Sequence, residues 1–241
     1  MKKTMNKVDV LIPCYNEDKN IETLINSWAS VAKKNQDLNI YFIDNGSTDS
    51  TNKALKGFIE NLNLPNLFIL EIEINKGYGH GIKFGLSLSH SQIVCWTHAD
   101  LQIPVEEVVE VIKEYSLIND REKFIFKGKR IKRNVFDKLF TNFMSIIGYF
   151  YTGYFIKDIN AQPKVFSRSN LNAVDQFPDD FSIDAHILYL HKKNNKTIKA
   201  FDTHFFNRTG NKSKGGGSFK GKLMLSYKTF KYLKNFKKNI S

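Results

Sequence analysis

The stretch Ile93-Val94-Cys95-Trp96-Thr97-His98-Ala99-Asp100-Leu101-Gln102-Ile103-Pro104 passes from an unbroken apolar run into a short polar loop. Four consecutive apolar residues read as a buried strand, and the apolar periodicity of residues 105–117 predicts a helix after the loop. In an open α/β sheet, ligands sit in the crevice beyond the carboxyl ends of the strands. At that place Asp100 and Gln102 offer a carboxylate and an amide oxygen, two residues apart, that can both reach one hard cation.

Upstream, the same alternation repeats. Residues 8–13 read as a strand, and Ile21, Leu24, Ile25, Trp28 and Ala32 recur at helical spacing. Residues 40–43 form a second strand, broken by Asn45-Gly46, with Ser47 or Thr48 placed to cap a helix whose one face carries Leu55, Phe58, Ile59 and Leu62. A third strand over 67–74, a glycine-rich turn and a short helix near 82–88 complete the series. This order predicts a mostly parallel sheet with helices on both faces. Beyond residue 120 the pattern loosens: a strand at 124–127, a long aromatic helix at 134–155, strand-like residues 196–206, a Gly/Lys/Ser loop at 211–218 and a basic aromatic helix at 223–236. Without a repeat or a linker, the reading is one domain over 1–218, with halves 1–120 and 121–218, followed by a basic amphipathic C-terminal extension over 219–241.

The 241 residues are 41% hydrophobic and 25% charged, ordinary for a chain with a real core. No apolar stretch reaches the roughly 20 residues that a membrane span needs. The N-terminus lacks the apolar segment of a secretory signal. The two cysteines, Cys14 and Cys95, lie in apolar runs and read as buried thiols in a reducing compartment. The net charge of +12 falls mostly in the second half, so that half is expected to face an anionic partner: phosphorylated substrate, anionic membrane or nucleic acid.

The strand-end segments carry the chemistry. In Pro13-Cys14-Tyr15-Asn16-Glu17, Tyr15 can cover a flat base and Glu17 can accept from ring or ribose donors. Equally, Asn16 or Asp18 can cap the next helix with Glu17 near its dipole. Asp44 is placed to accept from a base or ribose, whereas Asp49 falls where a helix favours a carboxylate anyway. Asn75-Lys76-Gly77-Tyr78-Gly79-His80-Gly81 is not a dinucleotide fingerprint, because it does not follow the first strand and lacks the later acid. Its glycines suit close approach of backbone to a ligand, with Lys76 near a phosphate, or simply a tight turn.

Together, Pro13 to Glu17, Asp44-Asn45-Gly46-Ser47-Thr48-Asp49, Asn75-Lys76-Gly77 and Ala99 to Pro104 resemble, in this order, the motifs of family 2 glycosyltransferases. The likeness spans residues 8–168 and is greatest to the dolichyl- and polyprenyl-phosphate mannosyltransferases and bacterial envelope-polysaccharide (lipopolysaccharide-type) relatives. It implies a GT-A fold, which is Rossmann-like, together with a GDP- or UDP-sugar donor and Mg²⁺ or Mn²⁺. Pro13, Tyr15, Glu17 and Asp44 would hold the nucleoside, with Lys76, Gly77 and Ala99 along the donor. Asp100 and Gln102 would hold the metal on the diphosphate. His98 stands where the family usually has the first Asp of its acidic motif. It would either shift the preference from Mg²⁺ towards Mn²⁺ or Zn²⁺, or make no metal contact and donate to a phosphate or to Asp100.

In the basic half, the resemblance aims Arg130 of a Gly-x-Arg segment at phosphates, with Arg133 second on the acceptor side. Asp158 and Gln162 would line the acceptor end, and Asp184 would be a helix-borne carboxylate. An inverting transferase needs a base for a hydroxyl acceptor, so Asp158 or Asp184 would be catalytic if the acceptor is a sugar hydroxyl; an ionised phosphate needs none. Arg208 and Lys214, in the cationic segment 207–218, are expected to close over the diphosphate. The acceptor is expected to be lipid-linked or an envelope glycan, at a cytoplasmic membrane face that the two aromatic-basic helices would touch. A silent nucleotide-sugar binder is the alternative raised by His98. A nucleic-acid binder is raised by the charge but disfavoured by the acidic crevice.

Overall fold

The computed structural model describes residues 7–131, 135–206 and 219–235. Four strands alternate with helices through the first half: β1 (Val8–Cys14), α1 (Ile21–Lys34), β2 (Leu38–Asn45), α2 (Thr51–Leu62), β3 (Leu67–Ile72), α3 (Tyr78–Leu88), β4 (Ile93–Trp96) and α4 (Val105–Ser116). The second half adds β5 (Phe124–Ile131), α5 (Val135–Thr152), β6 (Lys164–Ser167), α6 (Ser182–Lys193), β7 (Thr197–His204) and α7 (Phe219–Lys234). Among the described residues seven strands form one sheet in the order β3-β2-β1-β4-β6-β5-β7. Only β6 runs against the others, pairing antiparallel with β4 and β5. This is the expected mostly parallel α/β architecture.

Two apolar layers flank the sheet. Val10, Ile12, Cys95, Phe126 and Val165 pack with α1 and α4 on one face. Leu11, Val94, Trp96, Ile125 and Phe166 pack with α3 and α6 on the other. Period-two alternation therefore holds in strands whose two faces are both buried, and it reads in sequence as an unbroken apolar run. Cys14 and Cys95 are buried free thiols, as expected.

Several boundaries shift. The long aromatic helix ends at Thr152 and the strand after residue 120 continues to Ile131. The short helix begins at Tyr78, so the glycine-rich segment is largely its first turns. β6 was not foreseen: its Lys164 and Ser167 obscure a short strand that is buried at Lys164, Val165 and Phe166. α7 docks onto the domain. Leu233 is buried in the core, the Tyr232 hydroxyl meets His186 Nδ1, and Phe230 packs edge-on against Tyr151 of α5 at 5.3 Å.

Candidate active site

The carboxyl ends of β1, β2 and β4 open on one edge of the sheet, because these strands are parallel and in register, with Cys14 beside Asp44. Beyond β1 the chain turns at Asn16, whose φ of 54° lies in the left-handed region that Asn tolerates. The Asn16 side chain is the tie to the next loop: Nδ2 donates to Thr48 Oγ1 at 3.2 Å and Oδ1 accepts from Thr48 N at 2.8 Å. Glu17 N donates to Thr51 Oγ1 at 2.8 Å, and Asn20 Nδ2 donates to Ala99 O at 2.9 Å. Asn16 thus crosslinks two loops rather than capping α1. Tyr15 is left at the surface with 36% exposure, and Glu17 is buried beneath it.

Asp44 is buried and oriented. Oδ1 accepts from Ser47 N at 3.1 Å and Oδ2 from Asn52 Nδ2 at 2.8 Å. Asp49 does what the bland reading expected, accepting from Thr51 N at 3.0 Å at the start of α2.

The loop after β4 carries a second left-handed residue, Leu101, at φ 52°. A leucine in that region is strained, and such strain gathers at functional loops. Asp100 Oδ1 accepts from Gln102 N at 3.2 Å in an Asx turn, while no partner among the described residues takes Oδ2. Gln102 is fixed by the chain beyond β7, because Nε2 donates to Phe206 O at 3.1 Å and Phe206 N donates to Gln102 O at 2.8 Å. Its Oε1 is therefore the amide atom left for a ligand. A carboxylate oxygen and an amide oxygen fit Mg²⁺ or Mn²⁺, which take few protein ligands and complete their shell with phosphate and water. Among the described residues no three His, Cys, Asp or Glu side chains converge.

His98 lies in an aromatic corner, edge-on to Tyr78 at 5.2 Å, while Tyr78 stacks on Phe181 at 4.6 Å. Its Nε2 is 3.3 Å from Gln162 Nε2. An amide nitrogen can only donate, so the contact assigns Nε2 as acceptor and the proton to Nδ1. Burial holds the imidazole below its ordinary range against the pull of Asp100 and Asp184, which keeps it neutral.

The residues expected on the acceptor side converge on two buried carboxylates. Asp184, with 0% exposure, accepts from Trp96 Nε1 at 3.0 Å, Gln162 Nε2 at 3.0 Å and Lys164 Nζ at 2.9 Å. Asp158 takes a two-pronged ion pair from Arg130 and accepts the Arg130 backbone N at 2.9 Å. Burial pushes the Asp158 carboxyl up, but the guanidinium outweighs it and holds the group below its ordinary value. Asp158 itself has φ 50°, a third left-handed turn at this edge. Lys164 and Trp96 were missed in sequence because each sits in a strand and reads as core or surface there.

The glycine-rich segment is built otherwise than expected. A Cβ on Gly77 would lie 2.4 Å from Asp179 O and one on Gly79 2.1 Å from Pro178 O, while His80 N donates to Asp179 O at 2.9 Å. The close approach is to the 178–180 backbone, which seats Phe181 against Tyr78. Lys76 is exposed on this turn beside Gly77. Arg133, Arg208 and Lys214 lie outside the described residues.

The sequence matches Glycosyl transferase family 2 over residues 9–213. It is 29% identical over 126 residues to undecaprenyl-phosphate 4-deoxy-4-formamido-L-arabinose transferase of Proteus mirabilis, covering 49% of this chain and 38% of that one. The chain thus spans well under half the length of that relative. It is 28% identical over 190 residues to UDP-N-acetylglucosamine–dolichyl-phosphate N-acetylglucosaminyltransferase of Methanococcus voltae, covering 69% of this chain and 72% of that one. In structure it resembles mannosyltransferase PcManGT from Pyrobaculum calidifontis in complex with GDP-Man and Mn²⁺, with TM-score 0.64, 19% identity, and coverage of 84% of this chain and 57% of that one. It also resembles glucosyl-3-phosphoglycerate synthase from Mycobacterium tuberculosis in complex with Mn²⁺, UDP-Glc and phosphoglyceric acid, with TM-score 0.72, 15% identity, and coverage of 99% and 82%. These likenesses establish the GT-A fold.

Proposed function

The chain belongs to glycosyl transferase family 2, and from that premise we propose that it moves a sugar, with inversion, from a nucleotide donor to a polyprenyl phosphate. The observation that carries the choice of acceptor is that neither expected base is poised as one. Asp158 is committed to Arg130, and Asp184 is sealed among Trp96, Gln162 and Lys164. A sugar hydroxyl would need one of them free to take its proton. A phosphate oxygen is already ionised: it attacks the anomeric carbon, and the bond to the nucleoside diphosphate breaks with its electron pair going to the leaving group. On this reading Asp158 and Asp184 position Arg130, Gln162 and Lys164 rather than move protons.

Tyr15, Glu17 and Asp44, with Pro13 shaping the turn, would hold the nucleoside, and Lys76, Gly77 and Ala99 the adjoining donor. Asp100 and Gln102 would hold Mg²⁺ or Mn²⁺, which when bound offsets charge growing on the leaving diphosphate. His98, neutral and oriented by Gln162, would donate Nδ1–H to the diphosphate rather than ligate the metal. Relatives named for undecaprenyl and dolichyl phosphate support the acceptor class.

The surface suits a peripheral place on an anionic bilayer. On α5, Leu139, Phe143, Ile146 and Phe150 recur at helical spacing and are exposed, and Lys228, Lys231 and Lys234 are exposed on α7. Among the described residues no helix is long and apolar enough to cross a membrane.

The test is turnover of radiolabelled UDP- and GDP-sugars with a short polyprenyl phosphate, with and without Mn²⁺. The expected result is metal-dependent formation of lipid-linked sugar, reduced roughly 100-fold or more by Asp100→Asn, as for loss of a group that stabilises the transition state. Donor binding without product would reject the transferase in favour of a silent binder.

A further inference from the structure

Because β6 runs antiparallel to β4, with Lys164 opposite Trp96, the loop leading into β6 stands at the same sheet edge as the loop after β4. Gln162 of that loop is 2% exposed and reaches three groups through one atom. Its Nε2 is 3.0 Å from Asp184 Oδ2, 3.3 Å from His98 Nε2 and 3.4 Å from Tyr78 Oη. An amide nitrogen carries two hydrogens, so one goes to Asp184 and the other is shared by His98 and Tyr78. These partners also fix which way the amide points. Turned over, it would set its oxygen against the Asp184 carboxylate, acceptor against acceptor. Gln162 Oε1 is thereby held in place, and it is buried with no hydrogen-bond donor reaching it among the described residues.

A buried acceptor left without a hydrogen bond costs stability, and a ligand that brings an O–H or N–H removes that cost. The chemistry of the two substrates narrows where this group comes from. The nucleotide's diphosphate and an ionised acceptor phosphate only accept, and an isoprenoid chain does neither. The nucleoside does carry N–H and O–H groups, but Tyr15 and Asp44 stand at the ends of β1 and β2, on the side of β4 away from β6. The transferred sugar is bonded directly to the diphosphate, beside His98 and Asp100, and it is rich in hydroxyls. We propose that Gln162 Oε1 accepts a hydrogen bond from one hydroxyl of the transferred sugar and so selects which sugar is moved. Beside this oxygen His98, Tyr78 and Phe181 are half-buried, with Tyr78 stacked on Phe181. A flat apolar wall with one fixed acceptor suits the C–H face and one O–H of a pyranose. The oxygen is closed to solvent in this state, so a side-chain shift at the aromatic corner accompanies the contact, as is common on binding. This rests on the nucleotide-sugar reading above and adds the residue that reads the sugar.

The experiment is calorimetric titration of the full chain, with Mn²⁺ and without acceptor, using UDP-glucose, UDP-N-acetylglucosamine and GDP-mannose. The tightest of these is followed by its analogues in which fluorine replaces one sugar hydroxyl at a time, since fluorine cannot donate. One position is expected to cost wild type roughly tenfold or more in affinity, as for loss of a buried hydrogen bond. Gln162→Met should lose that discrimination and keep the profile at the other positions. Any general loss from freeing His98 acts on every analogue alike and cancels in the comparison. Gln162→Glu, which keeps an acceptor oxygen, should retain the discrimination. A wild type that binds every analogue as well as the parent would overturn the inference, whether or not the variants fold. So would an unchanged profile in Gln162→Met. Discrimination that depends on Gln162, without transfer to polyprenyl phosphate, would reject the transferase and leave the sugar contact standing. Lipid-linked product together with a flat analogue profile would do the reverse.

Discussion

Asp184 shows how much a single residue's meaning depends on its surroundings. In the sequence it is an acid near the start of a helix, equally fit to be a base or a salt bridge. In the fold it has no exposed surface and serves three donors at once. Breaking a buried pair by removing one partner leaves the other charge uncompensated. Asp184→Asn should therefore lower stability in urea by about 3–5 kcal/mol, because the Lys164 ammonium loses its carboxylate. Adding Lys164→Met should restore much of that loss, a coupling that a double-mutant cycle reads directly. A loss near zero for Asp184→Asn would show that the pair contributes little and would reopen a catalytic role. The residue scale also bears on His98. Its contact with Gln162, 64 positions away, fixes which nitrogen carries the proton, and nothing local to residues 97–104 could have indicated it.

At the scale of elements, the glycines of α2 and α3 look alike in sequence and differ in structure. Gly57 lies in α2 with open space around an added Cβ, whereas one on Gly79 in α3 would lie within 2.1 Å of Pro178 O and 2.8 Å of Asp180 O. Gly57→Ala should raise stability by about 0.5–1 kcal/mol through helix propensity. Gly79→Ala must push α3 away from the 178–180 backbone, at a cost of about 1–3 kcal/mol or more. Thermal unfolding of the two variants should shift in opposite directions, and a neutral Gly79→Ala would refute the close packing. The same contact explains why the glycine-rich segment suggested a ligand cradle. Glycine signals close approach of something, and the sequence alone does not say whether that is a ligand or another stretch of chain.

Across the whole molecule, charge and exposed apolar surface act together. The chain carries +12, and the outer face of α5 presents Leu139, Phe143, Ile146 and Phe150 to solvent. A basic surface with an apolar helix face is attracted to anionic lipid both electrostatically and by burial. The chain should sediment with phosphatidylglycerol vesicles and not with phosphatidylcholine, and the binding should weaken as salt is raised. Phe143→Glu with Phe150→Glu should weaken it roughly tenfold or more through lost burial and added repulsion. Equal sedimentation with both lipids, or no effect of the double variant, would place the membrane contact elsewhere or nowhere.

The first four strands, the helices between them and the loops holding Asp44, Asp100 and Gln102 were legible in the sequence, because period, turn residues and strand-end chemistry are local properties. The mostly parallel order followed from the alternation of strands and helices. What the sequence left open was how distant segments meet. The antiparallel β6, with two polar ends on a four-residue strand, carries too little pattern to be read. The commitment of Asp158 to Arg130 and of Asp184 to Lys164 spans 28 and 20 positions, taking the differences between those residue numbers. Lys127 comes to lie opposite Lys164 only through the pairing of β5 with β6. Sequence determines which groups a chain carries and their local spacing. Only the tertiary fold decides which of them satisfy one another and which are left for a ligand, since that depends on desolvation and on neighbours far apart along the chain.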